Sequence, residues 1–332
     1  QQGDIDRALT LWNDSLEIKE RIGDVKGKAA TLNNMAGVIA QQGDIERALT
    51  LWNDSLEIED SIGNVKGKAA TLNNMAGVIA QQGDIERALT LWNDSLEIED
   101  SIGNVKGKAA TLNNMAGVIA QQGDIDRALT LWNDSLDIKE RIGDVQGKAA
   151  TLANLAYWAG ERGDRAEQLT LNLQAAEALG RTRAYSDLLT VLTNLGFTAE
   201  VNPTAYFAQA IWLMLRIQPP LSDAISVLNA LYQRIEKGDP LEALLGATAF
   251  YFCRTRGENH PDIEQLSNAS LNMLAGAATE QGTKIETMEA LTNWMQAQQL
   301  NDPEQFLPKL NTQLETLIGD TWAFDPAPLQ EK

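Results

Sequence analysis

The stretch QQGDIERALTLWNDSLEIEDSIGNVKGKAATLNNMAGVIA fills residues 41–80 and returns letter for letter at residues 81–120. Residues 1–40 depart from it at five places only: Asp6, Lys19, Glu20, Arg21 and Asp24. A fixed period of forty residues implies a repeat architecture, in which one unit cannot bury its apolar face alone and stacks on its neighbours. Within the stretch, Leu72, Met75, Ala76 and Ile79 follow the i, i+3, i+4, i+7 spacing that lines one helix face. Gly83 can end that helix, Asp84 is a good N-cap for the next, and Glu86 suits its first turn. The second helix carries Ile85, Ala88, Leu89, Trp92, Leu96 and Ile102, and Gly103 closes it. Each unit therefore reads as a helical hairpin, and the fold class as all-α: an α-solenoid of stacked hairpins.

These residues resemble the tetratricopeptide repeat. Its signature, W-x2-L-G-x2-Y followed by A-x3-F and a proline, corresponds to Leu72, Met75, Ala76 and Ile79, then Ala88 and Trp92, with Asp100 in place of the proline. The forty-residue unit is longer than the common form of about 34. In that respect it is similar to the arrays of kinesin light chains and of bacterial signalling proteins. The resemblance implies a non-catalytic protein-interaction module, the sensor or scaffold part of a larger protein; the opening in mid-repeat is read as that of an excised fragment.

The marker glycine falls at Gly3, Gly43, Gly83, Gly123 and Gly163, with Pro203 at the next interval. Leu192, Leu195, Gly196, Ala208, Trp212 and Pro220 fit a sixth unit, and Gly238-Asp239 with Ala243 suggests a seventh. The run Leu271 to Gly276 echoes Leu72 to Gly77 and suggests an eighth. The expected plan is thus near-identical units over 1–152, diverged units of the same solenoid over 153–300, and a capping helix and irregular tail over 301–332, the helix near 303–318.

The resemblance implies a right-handed α-solenoid, the tetratricopeptide superhelix, in which the first helix of each pair lines the concave groove. The resemblance then places Asn33, Asn73 and Asn113 on the groove wall, with Gln41, Gln81 and Gln121 beside them. An amide carries both donor and acceptor, so a row of them can bind the main chain of an extended peptide; the same amides can instead bridge neighbouring helices. Asn34, Asn74 and Asn114 can share either role. The groove position held by Gly77 becomes Tyr157, Phe197 and Tyr232 in later units, with Glu161, Glu200 and Glu236 about one turn onward. Exposed aromatics anchor interfaces, and the acids beside them favour a basic ligand; alternatively the aromatics fill a narrowed superhelix from within.

The formal net charge of −19 argues against nucleic-acid phosphate or an anionic membrane as partner. A protein or peptide is the expected partner. Identical units offer identical surfaces at a constant step, which suits either a multivalent ligand or end-to-end self-association; a structural spacer or self-assembling array is the second reading. Cys253, the only cysteine, forms no intrachain disulfide and fits a reducing compartment such as the cytoplasm. It lies seven residues before the only histidine, His260, but among Phe250, Tyr251 and Phe252 it reads as a packed residue. No catalytic residue, metal site or cofactor is expected.

Overall fold

A computed structural model describes residues 2–235, 239–256 and 263–330. Among the described residues the secondary structure is entirely α-helical. The chain divides into two compact units, residues 1–147 and 148–332.

The first unit contains α1 (Gln2–Ile22), α2 (Val25–Gln41), α3 (Ile45–Ser61), α4 (Val65–Gln81), α5 (Ile85–Ser101), α6 (Val105–Gln121) and α7 (Ile125–Ile142). The pairs α2/α3, α4/α5 and α6/α7 form hairpins, and α3 against α4 and α5 against α6 stack one hairpin on the next. Each hairpin turn is written in two residues. Gly83 sits at φ +86°, a left-handed conformation that strains any residue with a Cβ. Asp84 follows, and its carboxylate accepts the Arg87 amide at 3.2 Å as the N-cap of α5. Between hairpins, Asn64 and Asn104 cap α4 and α6 in the same way.

Small residues let the paired helices approach. Ala69 and Ala76 of α4 and Ala88 of α5 are fully buried, and the Ser95 hydroxyl donates to the Ala69 carbonyl at 2.9 Å across the pair. Trp92 of α5 is 1% exposed and donates its indole N–H across the pair to Asn73 of α4 at 3.0 Å. Four alanines and serines at the seam thus make room for one indole per unit.

One polar position is also buried. Glu59 and Glu99 are each 3% exposed at the ends of α3 and α5, and the Thr111 hydroxyl donates to Glu99 at 3.4 Å. The flanking copies carry Lys19 and Lys139 there instead; Lys19 donates to the Gly27 carbonyl at 3.1 Å and to the Thr31 hydroxyl. The next N-cap changes with it: Asp24 and Asp144 accompany the lysines, Asn64 and Asn104 the glutamates. A carboxylate cap beside a buried lysine is attractive, and beside a buried glutamate repulsive, so the two exchanges are physically coupled.

The second unit contains α8 (Val145–Glu161, whose first turn spans the division), α9 (Arg165–Thr182), α10 (Tyr185–Thr198), α11 (Pro203–Ile217), α12 (Leu221–Arg234), α13 (Leu241–Arg256), α14 (Ile263–Glu280), α15 (Met288–Ala297), α16 (Pro303–Ile318) and α17 (Ala327–Gln330). α10 packs on α9 and α11. Beyond α12 the pairing departs from the sequence expectation of α12/α13 and α14/α15 hairpins. α13 packs most extensively on α14, where Gly246 lies so close to Met273 that an added Cβ would come within 3.0 Å of it.

In the C-terminal segment α16 occupies the span expected for the last helix, and the chain from 319 to 326 is without regular secondary structure. α16 returns to pack on α11, and the chain after it is docked rather than loose. Trp212 of α11 donates its indole N–H to Glu315 at 2.9 Å and meets Trp322 edge-on with centroids 5.1 Å apart. The buried Gln209 side chain accepts the Ala323 amide at 2.9 Å and donates to the Thr321 carbonyl. Arg216 donates to the Leu329 carbonyl at 3.2 Å, so that Phe324 and Leu329 are buried. The apolar face of α11, with eleven consecutive buried residues from Ala205 to Leu215, explains why: a helix apolar all round needs cover on every side.

Candidate peptide-binding surfaces

In the first unit the asparagines stand on the first helix of each hairpin. The Asn33 side-chain oxygen accepts the Trp52 indole N–H at 2.9 Å and the Asn74 amide at 3.2 Å. Asn73 repeats the arrangement with Trp92 at 3.0 Å and Asn114 at 3.3 Å, and Asn113 is also engaged within the protein. Both lone pairs of the Asn33 and Asn73 oxygens are thereby used. The amides thus link helix to helix, the bridging role that the sequence left open as an alternative.

What remains for a ligand is complementary. The exposed Asn74 and Asn114 keep their carbonyl oxygens as acceptors, and Asn33 and Asn73 keep their amide N–H groups as donors. Beside them Gln41, Gln81 and Gln121 are exposed. A Cβ added at Gly37, Gly77 or Gly117 would meet nothing within 4 Å, so the surface there is open. The result is a hydrogen-bonding strip, free of side-chain bulk, repeated every forty residues.

The second unit presents the aromatics unequally. Tyr157 is 59% exposed, with its ring edge-on to Trp158 at 5.4 Å, and Tyr232 is 40% exposed. Phe197 is half-buried and packs on Phe207 at 5.3 Å, which makes it a packing residue first. Glu161 and Glu200 are exposed, and Glu236 lies outside the described residues. Glu200 borders an open cleft of about 680 Å³ together with Arg162, Arg165 and Val201. The cleft therefore offers both signs of charge, not acid alone.

The arginines were missed by sequence reasoning, although a signal exists. At these places the preceding unit has Gln122 and Ile125, and the change to Arg162 and Arg165 marks where the repeat stops copying itself.

Cys253 is half-buried, and burial pushes its thiol up to about 11, so the nucleophilic thiolate is scarce at neutral pH. His260 lies outside the described residues. Among the described residues no three His, Cys, Asp or Glu side chains gather to hold a metal ion, and no helix is long and apolar enough to cross a membrane.

Residues 107–181 match the family model of the tetratricopeptide repeat. A solved structure, BtubC (BKLC) from P. vanneervenii, is similar in fold, with a TM-score of 0.57 and 17% identity over 65% of this chain and 93% of that one. No curated protein matches the sequence. Residues 107–146 repeat residues 67–106 with changes at seven positions, so the matched unit is the one copied through the first part of the chain. The likeness to kinesin light chains remains an expectation of the sequence. Residues 107–181 are tetratricopeptide repeat sequence, in an all-α chain whose preceding copies build the same helical hairpins.

Proposed function

We propose that this chain is a non-catalytic interaction module that binds extended peptide or protein segments, as the sensor or scaffold part of a larger assembly. Tetratricopeptide repeats are in general protein-interaction modules, which is the class this reading refines. The observation that carries it is Tyr157: a large aromatic 59% exposed, at the position where three earlier copies hold Gly37, Gly77 and Gly117 over open space. Rigid aromatics in such places supply contact area at low entropic cost. Tyr232, 40% exposed, serves as a second anchor. On the first unit, the Asn33–Asn74 and Asn73–Asn114 pairs offer donor and acceptor to a main chain.

Peptides selected from a random library on the intact chain test this reading. With Tyr157→Ala and Tyr232→Ala together, anisotropy titration of a selected peptide should show at least a tenfold weaker affinity, with helicity unchanged. Unchanged affinity would remove the aromatic surface from the reading.

A second reading, a spacer or self-assembling array, is favoured by a different feature. Ile62 and Val65 are 41% and 46% exposed, and Ile102 and Val105 repeat them at 39% and 47%. An apolar pair at every inter-hairpin turn is a surface with the period of the array itself, and it fits a second copy.

A further inference from the structure

We propose that the cleft among α13, α14, α15 and α16 binds a small amphipathic carboxylate, its aliphatic or aromatic body in the cleft and its anionic head at Lys309. The cavity measures about 420 Å³, within the range of small-molecule sites. Its floor is apolar and buried: Leu244, Ala247, Leu274, Phe306 and Leu310. Its rim is polar, with the exposed side chains of Gln281, Gln298 and Gln313. An apolar floor with a few convergent polar groups selects a ligand with one greasy end and one polar end.

Two observations give the polar end its sign. Lys309 is the only charged side chain among the described lining residues, in a chain carrying 46 acidic and 27 basic residues. No acid is among the described residues that line the cleft, which leaves the Lys309 charge available to an anion there. Its ammonium bonds the Gln299 side-chain oxygen at 2.6 Å, which steadies it and leaves two donors.

The second observation is Trp294, which lines the cleft and is 9% exposed. Trp52, Trp92 and Trp212 each donate the indole N–H at 2.9–3.0 Å, to Asn33, Asn73 and Glu315. The Trp294 N–H makes no hydrogen bond among the described residues. That N–H is not itself buried, so beside the apolar floor it is a donor open to an acceptor brought by a ligand.

The test compares octanoate, octanol and octylamine on the full chain by calorimetry and ligand-observed NMR. Octanoate should bind saturably, one per chain, and octylamine at least tenfold more weakly. Lys309→Gln, an exposed change, should weaken octanoate at least tenfold and leave octanol unaffected. Trp294→Phe should weaken octanoate with helicity retained, and Ala243→Phe, which fills the cleft, should block it. Failure of octanoate to saturate at millimolar concentration would overturn the proposal. So would equal binding of octylamine, unchanged binding by Lys309→Gln, or blocking by a peptide alone with no response to octanoate. The site shares no residue with the proposed peptide surface, so either reading can fail without the other.

Discussion

Trp92→Ala is expected to lower the unfolding free energy of the first unit by about 3–5 kcal/mol, the usual cost of emptying a buried indole site. The ring is 1% exposed, in a hairpin whose buried Ala69, Ala76 and Ala88 are too short to fill a void. Its N–H also holds the Asn73 oxygen at 3.0 Å. Trp92→Phe separates the two contributions: it keeps most of the volume and loses the hydrogen bond, at a cost of about 1–2 kcal/mol. The array contains its own control. Trp52 is equally buried and makes the same bond to Asn33, so Trp52→Ala should cost the same within about 0.5 kcal/mol, as nearest-neighbour stacking requires. Denaturant titration followed by circular dichroism measures both. Costs below about 1 kcal/mol, or a large inequality between the copies, would contradict the packing described.

The stability of the first unit should fall as pH rises from about 5 to about 8. Burial raises the carboxyl of Glu99 to about 7, the Thr111 hydroxyl and Lys108 opposing and Asp100 assisting. Glu59 is raised for the same first cause, with Asp60 assisting and Thr71 and Lys68 opposing. A carboxyl whose folded pKa exceeds its unfolded value holds its proton more tightly when folded. Below about 4.5 both states are protonated and the group is neutral in effect. Above about 7 the folded state bears a buried charge that the unfolded state carries freely in water. For Glu99 alone the difference amounts to about 3–4 kcal/mol. Glu59→Gln with Glu99→Gln should therefore stabilise the protein at pH 8 and flatten the slope between pH 5 and 8. A double variant with the parent slope would show that these carboxyls are ionised at no cost. The exchange of Lys139 into this position carries the opposite sign: burial lowers its pKa, with Asp144 working against that.

The hairpin fold was legible because the copies state it repeatedly. The apolar spacing of Leu72, Met75, Ala76 and Ile79, with Gly83 and Asp84 after it, specifies helix, turn and cap from local chemistry alone. Where copying ends, so does that clarity. The α13/α14 pairing and the return of α16 to α11 depend on which apolar faces meet in space, and Trp212 gives no sign in sequence that Glu315 and Trp322 lie beside it. The candidate surface was legible in part. Asn33 was expected on the first helix of its hairpin, where it stands, yet its bond to Trp52, nineteen residues on, was not foreseen as the use of its oxygen. Tyr157 stood out as a departure from glycine, whereas Phe197, at the same repeat position, turned toward Phe207. Repeat position decides which face a residue is on; the neighbour decides whether it stays exposed.

Hydrogen exchange of the intact chain with and without a selected peptide tests the central claim most directly. Binding in the proposed mode predicts slowed exchange in α8 around Tyr157 and in α12 around Tyr232, while the turns bearing Ile62/Val65 and Ile102/Val105 stay unchanged. Protection confined to those turns, with α8 and α12 unaffected, would contradict it.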